Sequence, residues 1–124
     1  MQDIYQSLRT RLNTLPDKPP IVYFNQPLTD VSGIHFRESF MPAETGVLTF
    51  NGVDDNRGIY QVLVCAPKDS GTFMVYQWAD NIMNHFPKNI SLGACRVRKA
   101  YTMGGFEDGS FFCVPVTIAY RILR

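Results

Sequence analysis

Three cysteines (Cys65, Cys95, Cys113) and two histidines (His35, His85) are the residues of this 124-residue sequence whose types could supply a nucleophile and its base. Nucleophilic catalysis needs a thiolate, a base within hydrogen-bond reach and a third group that orients the base. Cys65 with His35 or His85 is the pairing worth naming, and it would make a Cys–His hydrolase. Its surroundings argue otherwise. Cys65 closes the apolar run IYQVLVCAP, where a cysteine behaves as a small core side chain, and no short signature of a catalytic cysteine surrounds it. The cysteines are odd in number, widely spaced and each within or beside an expected strand, so they are expected to be reduced, buried thiols of a cytosolic protein. His35 is expected on the polar face of its strand, in water. His85 is expected in the last turn of a helix, where a positive charge complements the dipole.

Cation and phosphate chemistry find less. CxxC, HxxxH and the alternating oxygen ligands of a calcium loop are all missing from the sequence. Asp54 with Asp55, and Glu107 with Asp108, fall in expected turns, where acidic residues serve turn geometry. MGGFEDG lacks the lysine and hydroxyl of a phosphate-cradling loop and joins two strands. No cofactor is expected. One basic group remains: Arg96 and Arg98 at strand spacing, with Lys99 beside them and Arg121 on the neighbouring strand. It reads either as a solvated outer face or as the basic lining of a channel that admits DNA.

The elements that position these residues follow from periodicity. Ile4, Leu8, Leu12 and Leu15 give residues 2–14 a helical apolar stripe, with Gln6, Arg9, Arg11 and Asn13 facing water. Pro16, Pro19 and Pro20 stop that helix, and Ile21 to Phe24 form a short buried strand. From Ile34 to Phe40 the period becomes two, Glu38 being the charged exception on the face of Ile34, Phe36 and Phe40. Val47 to Phe50 is a further extended piece, and Asn51 to Gly58 is a polar turn. Residues 59–67 are apolar on both faces, as a central strand requires. Residues 69–86 predict a second helix, capped by Asp69 or Ser70 and burying Phe73, Tyr76, Ala79, Ile82 or Met83, and Phe86.

A closing hairpin has arms at 95–102 and 111–123 and its tip at 104–109. Phe112, Val114, Val116, Ile118, Tyr120 and Ile122 share one parity, so a slip of one residue would put all of them in water. Their burial contributes on the order of 10 kcal/mol before entropy is subtracted. Pro115, on the other parity and without an N–H, suggests an edge position or a bulge.

These elements predict an α+β fold: a two-layer sandwich with a mixed, mostly antiparallel sheet of five or six strands and two helices on one face. Length fits one domain, residues 1–124. Hydrophobic residues at 45% suffice for a core, and 12 basic against 11 acidic residues lack the basic excess of a dedicated nucleic-acid-binding domain. No apolar run approaches the ~20 residues that span a bilayer, and charges interrupt MQDIYQSLRTRL where a secretion signal would be apolar.

Several stretches are similar to one known family: HFRESFMPAET, GIYQVLVCAPKDSGTF, WADNIMNHFPKNISL and GSFFCVPVTIAYRI. From residue 34 onward the chain resembles the tail terminator (minor tail) proteins of long-tailed phages and prophages, and its first helix and strand agree in order and length. The resemblance implies a structural virion protein rather than an enzyme. It implies a ring, commonly a hexamer, at the end of the tail tube, which stops polymerisation and provides the head-joining surface. Its implied partners are further copies of itself, the major tail tube protein and a head connector or head-completion protein, with a weak contact to DNA in the lumen and none to membrane. Its implied place is the virion tail, assembled in the host bacterial cytoplasm. The family shares no catalytic motif, so the resemblance supplies no active-site residue.

Ring closure needs two different patches on one subunit. The candidates are Asp54, Asp55 and Arg57 in one turn, and Phe106, Glu107 and Asp108 at the hairpin tip, where an exposed aromatic could anchor an interface. Glu38 is a candidate for pairing at a subunit contact. The competing class is a small nucleic-acid-binding module using Arg96, Arg98 and Tyr101, or less favourably the Cys–His hydrolase.

Overall fold

The computed structural model describes residues 2–23, 33–42, 57–68, 73–93 and 95–122. The expected strand at Val47 to Phe50, the turn residues Asp54 and Asp55, Phe24, and the caps Asp69 and Ser70 lie outside the described residues. The observed order is α1 (Gln2–Asn13), β1 (Ile21–Val22), β2 (His35–Pro42), β3 (Arg57–Pro67), α2 (Phe73–His85), β4 (Cys95–Thr102), β5 (Phe106–Asp108) and β6 (Phe111–Ile122). The fold is α+β, and the described residues form a six-stranded mixed sheet and two helices.

Strand order is β1-β2-β3-β6-β4, with β5 also paired to β6. Among the described residues only β1 and β2 run parallel; the other pairings are antiparallel. β3 is central, as its apolar residues on both faces require. One face of the sheet carries Phe36, Phe40, Tyr60, Val62, Val64, Val114, Val116, Ile118 and Tyr120, which pack with Ile4, Leu8, Leu12 and Leu15 of the α1 segment and Val75, Ala79, Ile82 and Phe86 of the α2 segment. The single-parity apolar set of β6 therefore lies against the helices, Phe112 and Ile122 at its ends being partly covered.

Pro115 is not at an edge, because β6 has neighbours on both sides. β4 pairs with β6 from Val116 to Ile122, and β5 pairs with it from Phe111 to Cys113. The proline falls at the changeover between the two partners. Its carbonyl faces that side and accepts from the Met103 N–H, 3.3 Å, so the nitrogen without a proton faces the same gap. The expected tip at 104–109 is likewise a strand and a turn: β5 folds back on β6 through Gly109 and Ser110. Gly109 has φ +62° and Ser110 is not among the positive-φ residues, as a type II′ hairpin turn requires.

Two further expectations are corrected here. In α2, Phe73 (77% exposed) and Tyr76 (43%) lie outside the buried stripe, which runs through Val75 instead. Arg57 is the first residue of β3 rather than part of a turn.

Arg9 and Arg11 do not simply face water. Arg9 reaches across to Glu38, its Nε 3.1 Å from Oε1 and 3.0 Å from Oε2 and its Nη2 2.6 Å from Oε1. Tyr60 donates its hydroxyl to the same carboxylate at 2.7 Å. Glu38 is therefore paired within its own chain, with no solvent on its side chain. This corrects its expected role at a subunit contact. Burial, together with the neighbouring carboxylate, holds the Tyr60 phenol well above its ordinary pKa. Two residues further along α1, Arg11 donates to the His85 carbonyl at 2.9 Å, tying the last turn of α1 to the C-terminus of α2.

Candidate assembly surface

Cys65 and His35 are directly opposite each other on β3 and β2. The pairing does not make a catalytic dyad. Cys65 is disulfide-bonded to Cys113, its opposite residue on β6, with the two Cα atoms 4.1 Å apart. The expectation of three free thiols is thus corrected; Cys95 alone is free, and burial pushes its thiol up to about 11. His35 is fully buried rather than solvated, its ring edge-on to Phe111. Its Nδ1 lies 2.9 Å from the Gly33 carbonyl and its Nε2 accepts from Arg37 Nε at 3.0 Å, which fixes a neutral tautomer.

Burial, with help from the Arg37 charge, lowers the His35 pKa, although the Gly33 carbonyl pulls the other way. His85 is lowered too, by burial and by Arg11, and its Nε2 lies 2.9 Å from the Arg11 carbonyl. His85 thus caps α1 as a neutral ring and does not serve its own helix as a cation. For both groups the folded pKa is below the unfolded one. The stability they contribute is complete above the ordinary histidine pKa of about 6.5 and is lost as pH falls through the folded value. The melting temperature is expected to fall between pH 7 and pH 5, and to fall less in His35→Phe. Equal slopes in the two proteins would remove His35 from this account.

The strands bring the remaining candidates to two ends of the sheet. At one end lie the starts of β2, β6 and α2, the end of β3, and β5. Phe106 is exposed there, opposite Cys113. Phe73, Met74 and Tyr76 are exposed on the first turn of α2, and Met74 borders an apolar pocket of about 240 Å³ with Gly33, Ile34, Ala66 and Pro67. The acidic neighbours of Phe106 have partners within the chain: Asp108 pairs with Arg37, and Glu107 with Lys68 at 3.2 Å. Both carboxylates are exposed, so these pairs are weak, on the order of 1 kcal/mol or less.

At the other end lie the start of β3, the start of β4 and the end of β6. Arg57 is opposite Arg121, and Arg121 is opposite Arg96. A register shift between Val97 and Lys99 makes Arg98 the extra residue of a bulge, half-buried, while Lys99 takes the place opposite Ala119. Arg96 and Arg98 are therefore not equivalent: Arg96 belongs to a row of cations and Arg98 does not. Arg57, placed by the sequence in an acidic turn patch, joins that row. Register across three strands could not be read from the sequence. The strand parity of Arg121 beside Tyr120 and Ile122 was the one available signal.

Comparison with known proteins gives this surface its context. The family model described as phage tail terminator protein matches residues 3–120. No curated protein matches the chain. Seven solved chains match; in one of them 23% of residues are identical over 99% of this chain and 95% of its own, with a TM-score of 0.75, which shows a shared fold. The architecture described above is thus carried by a family match across nearly its whole length, and the chain belongs to the phage tail terminator family.

Proposed function

We propose that this chain, acting as one unit of residues 1–124, is a structural protein of the virion tail that closes into a ring, a hexamer, on the end of the tail tube. The ring ends tube polymerisation and offers the head connector its joining surface. Subunits assemble in the host bacterial cytoplasm, contacting one another, the tube protein and the connector, and catalyse no reaction. The observation that carries this reading is the family match over residues 3–120. The geometry supports it through two unlike ends on one sheet, apolar at Phe73, Met74 and Phe106 and basic at Arg57, Arg96 and Arg121. A head-to-tail contact that closes on itself uses two different patches of the same subunit. Over the eleven residues of β3 the two ends stand roughly 33 Å apart, a span suited to meeting separate neighbours.

Phe106 is the proposed anchor of the apolar end, and Asp54 and Asp55 remain proposed contacts beside Arg57. The test is electron microscopy of lysates lacking the chain, complemented with the parent or with Phe106→Asp. Without the chain, tubes of uncontrolled length unattached to heads are expected. The variant, on an exposed residue, should melt within a few degrees of the parent yet fail to restore joined tails. Tails of normal length on heads in the absence of the chain would end the proposal, and full rescue by Phe106→Asp would take Phe106 out of the interface.

A further inference from the structure

We propose that the Cys65–Cys113 bond is a thiol–disulfide exchange site, opened and re-formed by small dithiols and disulfides that reach it beneath a roof of Phe111, His35 and Arg37. Side chains directly opposite one another on paired strands share a face of the sheet. His35, Cys65, Cys113 and Phe106 are opposite in turn on β2, β3, β6 and β5, so the four cross the sheet as one row. The row lies on the face away from the helices, because its sequence neighbours Phe36, Val64, Ala66 and Val114 belong to the helix-side core. That core contains Cys95 but neither Cys65 nor Cys113. Both bonded cysteines are nonetheless fully buried.

Among the described residues their cover is small. The rings of His35 and Phe111 come from strands on either side of β3 and have their centres 4.9 Å apart. They therefore meet above β3, where Cys65 and Pro67 are their opposite residues. Arg37 completes the cover. Its Nε donates to His35 Nε2 at 3.0 Å, its guanidinium stands 5.5 Å from the centre of the Phe111 ring, and it pairs with Asp108 of β5. Phe111 and Arg37 are only half-buried and Asp108 is exposed, so the outer tie is a surface ion pair, and weak. Lifting three side chains bares the bond while the helix-side core stays packed, a local opening far cheaper than unfolding. β3 and β6 keep one register from Arg57 opposite Arg121 to Pro67 opposite Phe111, so the two cysteines stay opposite whether bonded or not. The site passes between its two states without rebuilding the sheet.

Exchange takes two displacements. A thiolate of the dithiol attacks one sulfur of the pair, forming a mixed disulfide and expelling the other cysteine as a thiolate, which takes up a proton. The second thiol of the reagent gives up its proton, attacks the mixed disulfide and expels the remaining cysteine, which is protonated in turn. The reagent leaves as a disulfide and the protein holds two thiols. An oxidised reagent runs the same steps backwards.

The isolated full-length chain is used, so the outcome does not depend on the tail reading. Oxidised protein is kept folded in millimolar dithiothreitol, quenched with acid at intervals, then unfolded and tagged with a maleimide. Tags counted by mass should rise from one to three, and oxidised glutathione should return the folded chain to one. Phe111→Ala should speed reduction about tenfold and Arg37→Gln about fivefold, since each removes part of the cover. Arg9→Ala weakens the fold on the helix side, away from the roof. Were the bond reached through whole unfolding, that variant would speed reduction about a hundredfold or more; with access through the roof it stays within about twofold of the parent. Melting curves show which variants fold, and Arg37→Gln carries the test alone where Phe111→Ala does not. A larger acceleration by Arg9→Ala than by the roof variants, none by Arg37→Gln, or a folded parent that keeps one tag throughout overturns the proposal.

Discussion

Arg9→Ala is expected to lower the unfolding free energy by about 3–5 kcal/mol, more than any substitution of its partner by an isosteric neutral group. The asymmetry comes from burial. The Glu38 side chain has no contact with solvent, whereas the Arg9 side chain is 35% exposed. Removing Arg9 takes the cation from a carboxylate buried under the helix layer, which keeps its hydrogen bond from the Tyr60 hydroxyl, and a buried charge without its counter-ion is the expensive species. Glu38→Gln leaves an acceptor for Tyr60 and frees an arginine that can turn toward water. Its cost is about 1–2 kcal/mol, that of a charge-assisted hydrogen bond exchanged for a neutral one. Arg9→Met with Glu38→Leu should recover most of the loss, since a matched apolar pair removes the stranded charge. Urea unfolding of the four proteins measures all of this. A cost below 1 kcal/mol for Arg9→Ala would mean that α1 is not fastened to β2 by this pair.

Reduction of the Cys65–Cys113 bond should cost about 4 kcal/mol, the loop-closure value for cysteines 48 residues apart. The bond joins the central strand to its neighbour, and breaking it releases the unfolded chain rather than any native contact. The non-reduced protein, unfolded in urea, should yield one reactive thiol, Cys95; after reduction it should yield three. The urea midpoint should fall on reduction, and Cys65→Val with Cys113→Val should abolish that dependence. Three thiols before reduction would show that the bond is not made in solution.

Local pattern carried much of the fold. The parity of β6 from Phe112 to Ile122 specified its buried face without help from anything distant, and the four-residue spacing from Ile4 to Leu12 did the same for α1. What local pattern lacks is partnership. Arg9 and Glu38 are 29 residues apart, so an arginine on the expected wet side of a helix and a glutamate on the expected dry side of a strand each look misplaced alone. Together they explain each other. His35 was placed in water by its parity, yet Phe111 and Arg37 cover the sheet face on which it lies. In α2 the aromatic residues drew the buried stripe through Phe73 and Tyr76, because size suggests burial. The first turn instead exposes both while Val75 enters the core.

The candidate surface was legible by residue type only. Phe106 and the cluster around Arg96 were visible as types worth watching. The bulge that separates Arg98 from Arg96, and the opposition of Arg57 to Arg121, are properties of register, which hydrogen bonding among three distant strands decides.

The place of β6 has a consequence for how the molecule comes into being. It is the latest of the described elements in chain order, yet it lies between β3 and β4, and it joins Pro67 to Phe111 at one end and Arg57 to Arg121 at the other. A nascent chain that has not yet produced it holds two fragments of sheet with nothing between them. Such a polypeptide exposes raw strand edges, so its maturation is slow and chaperone-hungry compared with a fold built from sequential hairpins. A nonsense mutation just before Phe111 would delete the keystone of the sheet, not its fringe.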